Sequence, residues 1–600
     1  MIEIDATSAI GGVIAVAVQS FRVCIQAYEF AQIAQHLGPD ADNIRAKLQV
    51  EEYRLMEWAR KAKLDHETYP DSRLNWSLIR DLLQQQEALL TSSRRVKEKY
   101  NLNVGVESGK GGKEPPASGD GSSLRKLLSK LKPHVYLQSA RIIQASNGPL
   151  KRLQWATLGK SQAATILNGL AEINTSLEGL LDSVDQDFVK SALTVLLREI
   201  ISHSTDNSQL ETVKQLLDGN SVHDADTVTS AASLKQIRLL LGVDRRSDEK
   251  KSGPNTQMQG VNRKVIKMRY SLLVQERPSS DCRGREIAQY KSKLVLVEWK
   301  VVPRDHKRLL ESRVSGLVLL LSNAPAISYH SLPCMGYIVH DRLERYAIVF
   351  ELPPFSRSVT PLYSSLSGPV DNSINSIAVK NLLNALMLSG KPSLDKRVHI
   401  ALSLAETLLQ LHTSGWLHKG IRSENVLFVI PKEDDWTTFP SKQPFLIGYE
   451  YTRADGAEEM TEDPYSSAKI DIYRHPQARG QTRELFRKAF DLYGLGCIFL
   501  ELALWDRLDN ILMRYASLLL DQKSFASQPT LPKINPTNLE ELMKIDDDGS
   551  LGLMQDVAFH MGDTFLQVVQ LCFNVGDMSD DEASLEVQER IVEQLRQCKY

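Results

Sequence analysis

The period of the hydrophobic pattern changes along this chain, and that change narrows the folds open to it. Up to about His203, apolar residues recur three or four positions apart, as on one face of a helix. Phe21, Ile25, Tyr28 and Ile33 form one such series, and Ile44, Leu48, Leu55 and Trp58 another. Leu167, Leu170, Ile173, Leu177 and Leu181 continue it. Beyond residue 257 the pattern becomes that of strands rich in Val, Ile, Leu and Tyr, over 266–274, 293–302, 335–340 and 346–351. Helical spacing resumes from about Asn372. The order predicts a multidomain chain: an all-α helical bundle, then an α+β bilobal fold with strands first and helices after.

At 600 residues the chain is too long for one hydrophobic core. The best boundary is the charged, Gly/Pro-bearing run RRSDEKKSGPNTQ ending at Gln257. It sets a bundle over 1–205, a partly helical connector over 206–257 and an α+β region over 258–600. The connector carries helical segments at 210–217 and 234–241. A Gly/Ser/Pro-rich stretch at 101–123 reads as a flexible excursion within the bundle. The strand-rich lobe covers about 258–355 and the helical lobe about 372–600.

A formal net charge of -2 gives no overall pull toward nucleic acid. The six cysteines are scattered, with no CxxC pair, which argues against a zinc site or a disulfide scaffold and fits a reducing, cytoplasmic setting. Near the N-terminus, SAIGGVIAVAV at 8–18 is almost wholly apolar. Glu3 and Asp5 precede it, where a secretory signal would carry positive charge. A spanning helix needs about twenty apolar residues, and Gln19, Ser20 and Arg22 interrupt this run. Two readings stay open. The segment is a buried first helix, or it is a conditionally exposed one that enters a bilayer through Ile10, Gly11, Gly12, Val13, Ile14, Val16 and Val18.

The stretch 398–429 joins a long amphipathic helix, a Ser-Gly turn and the segment His418-Lys-Gly-Ile-Arg-Ser-Glu-Asn425, followed by an apolar strand. It resembles the catalytic loop of protein kinases. Leu446-Ile-Gly-Tyr-Glu450 stands where a kinase carries its metal-binding motif, and Tyr473-Arg-His-Pro476 where its activation segment ends. The run 488–505 resembles the buried central helix of the large lobe, with Asp491 near its start. The resemblance implies that His418, Arg422 and Asp491 are structural. Phosphoryl transfer needs one carboxylate to take the substrate proton and another to hold magnesium. The matching positions are Gly420 and Gly448, so the expectation is a pseudokinase with no catalytic residue, no bound metal and no cofactor. A vestigial nucleotide contact through Lys300, Glu311 and Asn425 is the weaker expectation for ATP, since no GxGxxG precedes Lys300 and Asp281-Cys-Arg-Gly-Arg-Glu286 offers one glycine.

In the first half, LQVEEYRLMEW at 48–58 and KRLQWATLGKSQAATILNGLAEINTSLEGLL at 151–181, behind an apolar helix with a Gly-Gly pair, resemble the fungal HeLo domain (HET-s/LopB type, prion-inhibition and propagation). Trp58 and Trp155 are expected in its core. The resemblance implies a bundle that exposes its first helix when triggered and permeabilises membranes in programmed cell death and heterokaryon incompatibility. Other members act as inhibitors or adaptors. Gly11 and Gly12 each lower helix stability by about 1 kcal/mol relative to Ala, which suits a segment that leaves its dock.

The function expected is thus a non-catalytic signalling or executioner protein whose pseudokinase governs the bundle. The partners expected are other proteins, with self-association through the bundle, conditional membrane contact and no nucleic acid. The expected location is the cytoplasm, with movement to the plasma membrane on activation. A divergent kinase and a plain interaction scaffold are the alternatives.

Overall fold

A computed structural model describes residues 6–33, 41–64, 73–91, 160–205, 207–219, 224–247, 266–275, 284–301, 307–324, 329–340, 345–353, 377–387, 390–431, 443–449, 452–454, 468–479, 484–524, 552–575 and 583–598. The expected excursion at 101–123, the segment 124–131 and Trp155 lie outside them. Contacts divide the chain into two units, Met1–Ala232 and Ser233–Tyr600.

The described part of the first unit is helical. It comprises α1 (Ala6–Ile33), α2 (Ala41–Lys61), α3 (Trp76–Thr91), α4 (Lys160–Glu178), α5 (Ser183–His203), α6 (Asn207–Gly219) and the start of α7 (Ala225–Ser247). α1 lies along α3, and α2 is the central helix, touching α1, α4, α5 and α6. Phe21, Tyr28, Leu48, Tyr53, Leu55, Trp58, Leu83, Leu170, Leu177 and Leu196 form the core. α5 begins where Asp182 accepts from the Asp185 N–H, a side-chain cap on an otherwise unpaired first-turn donor.

α1 joins the apolar run at 8–18 and the series Phe21, Ile25, Tyr28 and Ile33 in one helix. Gln19, Ser20 and Arg22 interrupt the hydropathy but not the helix: Gln19 is exposed, Arg22 half-buried and Ser20 buried beside Ala17, Phe21, Cys24 and Tyr28. The stretch expected as a connector also packs. Leu210 and Val213 of α6 are buried, and α6 lies against α2.

The second unit begins with a six-stranded sheet, in the order β1-β5-β6-β4-β3-β2. Its strands are β1 (Lys267–Met268), β2 (Leu273–Gln275), β3 (Arg285–Tyr290), β4 (Lys293–Val301), β5 (Cys334–His340) and β6 (Arg345–Glu351). The strand expected over 266–274 is broken: a 3-10 turn, Tyr270–Leu272, separates β1 from β2. These two lie at opposite ends of the strand order yet only residues 269–272 join them, so the sheet is curled. α8 (Lys307–Asn323) covers one face, with Leu317, Val318, Leu320 and Leu321 among Leu296, Ile348 and Phe350. Leu234 and Ile237 of α7 belong to the same core.

The expectation of helix from Asn372 onward is corrected by β7 (Ile377–Asn381). It pairs antiparallel with β9 (Val426–Pro431), which also pairs with β10 (Phe445–Leu446). A second small ladder joins β8 (Trp416–Leu417) to β11 (Arg453–Ala454). The longer helices that follow are α9 (Leu394–Thr413), α10 (Lys488–Leu504), α11 (Leu508–Ser524), α12 (Leu553–Met561), α13 (Asp563–Asn574) and α14 (Ala583–Gln597). α10 is buried almost all round, as expected for 488–505, and α9 and α13 pack against it. The expected helix at 398–413 is the body of α9, which hands the chain through β8 to the loop 418–425.

Candidate functional site

The loop 418–425 is held from below by one carboxylate. Asp491, in the first turn of α10 and 1% exposed, accepts from the backbone N–H of His418 and of Lys419, each at 2.8 Å. Its Oδ2 also lies 3.2 Å from His412 Nε2. A helix N-terminus favours that negative charge, and the two bonds hold Lys419 in the left-handed region at φ 65°. His418 Nδ1 accepts from the Gly420 N–H at 3.2 Å, and its ring meets Tyr449 edge-on at 4.9 Å. Arg422 turns to Glu424, with Nε 3.3 Å from Oε2. His418 and Arg422 thus lie within the loop, and Asp491 lies directly beneath it.

Asn425 closes the loop in a 3-10 turn, Ser423–Asn425, and is fully buried. Its Nδ2 donates to the Gly420 carbonyl at 2.6 Å. Its Oδ1 accepts from Arg285 Nη2 at 2.5 Å. Gly420 and Gly448 provide the room for this amide. A Cβ on Gly420 would stand 3.2 Å from Asn425 Nδ2, and one on Gly448 only 2.2 Å from it. Gly448 also sits at φ 90°, a conformation that a side chain resists.

Arg285 and Glu298 are the residues that sequence reasoning missed. Arg285 opens β3, and its cross-strand neighbour Glu298 lies on β4. Glu298 Oε1 lies 3.0 Å from the arginine Nε and 2.9 Å from Nη2. The remaining nitrogen, Nη1, donates to the Glu424 carbonyl at 3.1 Å. The pair is 10% and 4% exposed, so solvent screens it little. The only sequence signal was the single glycine, Gly284, just before it. Lys300 sits near the end of β4, opposite Tyr346, and Glu311 lies on α8 with its side chain outside the described residues, so their pairing is not on view.

Below the loop, Glu501 Oε1 accepts from Tyr473 Oη at 2.6 Å, from Ser423 Oγ at 3.4 Å and from the Leu508 N–H at 3.0 Å. Burial pushes this carboxyl up to about 8 against the hydrogen bonds that favour its charge. Beside the loop, Lys419, Arg422 and Arg474 line a recess with Tyr473, Phe486 and Phe490. Among the described residues no cluster of His, Cys, Asp and Glu is arranged to hold a metal ion.

In the first unit, α1 divides into two parts. Ala17, Phe21, Cys24, Ile25 and Tyr28 are buried. Gly12, Ala15 and Val16 are exposed, and Val13, Ile14 and Val18 half-buried; of Ile10 and Gly11 only the backbone is described. The buried part joins a polar chain through the core. Gln86 Nε2 donates to Tyr28 Oη at 2.9 Å and to Asn174 Oδ1 at 3.0 Å. Asn174 Nδ2 donates to the Glu51 carbonyl and carboxylate, at 2.9 and 2.8 Å. Arg54, 4% exposed, pairs with Glu51 at 3.1 Å and with both oxygens of Glu178 at 2.8 Å. Burial holds the Glu51 carboxyl above its usual range, with Arg54 and Asn174 opposing. Among the described residues no helix is long and apolar enough to cross a membrane.

Residues 9–213 match the HeLo family, described as prion-inhibition and propagation. No curated protein matches the chain.

Proposed function

We propose, for a chain whose N-terminal region is a HeLo domain, a non-catalytic signalling or executioner role in programmed cell death and heterokaryon incompatibility of the fungal type. The HeLo match over residues 9–213 is the observation that carries it. In this proposal the bundle is the acting part and α1 its working element. The partly exposed Gly12–Val16 stretch touches a membrane or a partner first, and the Ala17–Tyr28 stretch, with its buried face, follows only when the bundle opens.

The C-terminal unit is proposed as a kinase-like governor without catalysis. Supporting it are the strand-then-helix order, Lys300 on β4 of the sheet, and the Asp491 support beneath the 418–425 loop. Gly420 and Gly448 offer no carboxylate to take a proton or hold magnesium. The donor set does not fit a magnesium ion either, because the one retained oxygen, Asn425 Oδ1, is bound to a guanidinium.

Dye leakage from anionic liposomes tests the membrane half. Residues 1–232 are expected to release dye, the full chain at rest much less, and Gly12→Glu in the fragment to suppress release at least fivefold. A folded fragment that releases no dye sinks the membrane half of the proposal and leaves a protein-binding adaptor.

A further inference from the structure

Arg285 lies where a kinase-like sheet would present a glycine-rich turn to phosphates, yet its whole guanidinium is turned inward. Nε and Nη2 meet Glu298 on the neighbouring strand, Nη2 also meets Asn425 Oδ1, and Nη1 meets the Glu424 carbonyl. These partners come from the curled sheet on one side and from the loop 418–425 on the other. They are one carboxylate, one amide oxygen and one backbone carbonyl, the oxygen types that a hard divalent cation takes.

We infer that Arg285 is an internal cation standing in for a bound metal, which ties the sheet to the 418–425 loop and keeps the unit closed without any ligand. A metal–nucleotide complex closes such a cleft only when bound. The guanidinium is covalently part of β3, is always charged, and its planar fork reaches all three oxygens together. Gly448 complements it: with no Cβ there, the Asn425 amide stays turned toward the arginine. The unit would then transmit signals through what binds its surface and not through nucleotide occupancy. The comparison with a metal rests on the kinase-like proposal, whereas the tie itself rests on the contacts alone.

Hydrogen exchange on the full chain tests this. The Asn425 and Ile447 amides, bonded to the Arg422 and Asn425 carbonyls, report on the loop, and the α10 amides report on global opening. R285M keeps most of the apolar stem and removes the donors; R285K keeps the charge and loses the fork. Both are expected to speed exchange at Asn425 and Ile447 at least tenfold with α10 unchanged. Millimolar Mg-ATP is expected to leave the wild-type rates as they are. Unchanged rates at both amides in R285M, with α10 still protected, overturn the tie. If R285M also loses α10 protection, R285K decides, and unchanged loop rates there overturn it equally. Protection of the wild-type loop by Mg-ATP would instead sink the metal stand-in and the non-catalytic proposal, while the variant rates still judge the tie.

Discussion

A carboxyl shut away from water has its charge set by its burial and by the hydrogen bonds within reach, and Glu501 is in that position. Tyr473, Ser423 and the Leu508 N–H all serve its Oε1, yet burial still outweighs them and raises it to about 8. The sign follows from proton counting. Between the unfolded value near 4.5 and the folded value near 8, the folded state binds the extra proton. The stability it confers is full below about 4.5 and is lost as pH rises through about 8, at up to ~1.4 kcal/mol per pH unit. Glu501→Gln, which cannot ionise, is expected to flatten that part of the pH profile. Urea midpoints at pH 5, 6, 7 and 8 for both proteins check it, and parallel profiles would show that Glu501 does not titrate there. At this scale the sequence was only half legible. Gly420, Gly448, Asn425 and Asp491 could be singled out through the resemblance to the kinase catalytic loop and its neighbouring motifs. Arg285 could not, because its two loop contacts lie 139 and 140 residues away.

Among the elements, helices with a wide apolar stripe were readable because packing and local pattern agree. The series Ile44, Leu48, Leu55 and Trp58 lies inside α2, and Leu167, Leu170, Ile173 and Leu177 lie inside α4. β3 and β7 were not readable. Arg285-Glu-Ile-Ala-Gln-Tyr290 mixes charge with half-buried positions, and Ile377-Ala-Val-Lys-Asn381 is too short for a period to show. Their pairing partners, which the local sequence does not name, make them strands. The polar chain Tyr28–Gln86–Asn174–Glu51 ties the buried half of α1, through α3 and α4, to α2. Asn174→Leu would leave the Gln86 amide and the Glu51 oxygens short of a partner in the core, at a cost of about 2–4 kcal/mol. The expected outcome is a lower urea midpoint and faster exchange along Ala17–Tyr28, ahead of α5. An unchanged midpoint would mean the chain does not hold α1.

For the whole molecule, the composition boundary and the packing boundary differ. The charged run ending at Gln257 marks where the sequence turns polar, but contacts divide the chain between Ala232 and Ser233. Leu234 and Ile237 are fully buried in the core beneath the sheet, with Leu317, Phe350 and Trp416. A fragment beginning at Met258 loses both side chains and leaves a cavity there. It is therefore expected to melt well below one beginning at Ala225, by several degrees for the ~4–8 kcal/mol that two buried leucine-sized residues contribute. Calorimetry on the two fragments checks this, and equal melting temperatures would show that α7 adds nothing to that core.

The buried polar chain of the bundle also constrains how such a sequence can change over time. Any single apolar replacement strands a neighbour, whereas replacing the linked set together with shape-matched apolar residues would cost little or even stabilise. Drift one residue at a time is therefore blocked across four helices at once, and Tyr28, Glu51, Arg54, Gln86, Asn174 and Glu178 should be inherited as a block.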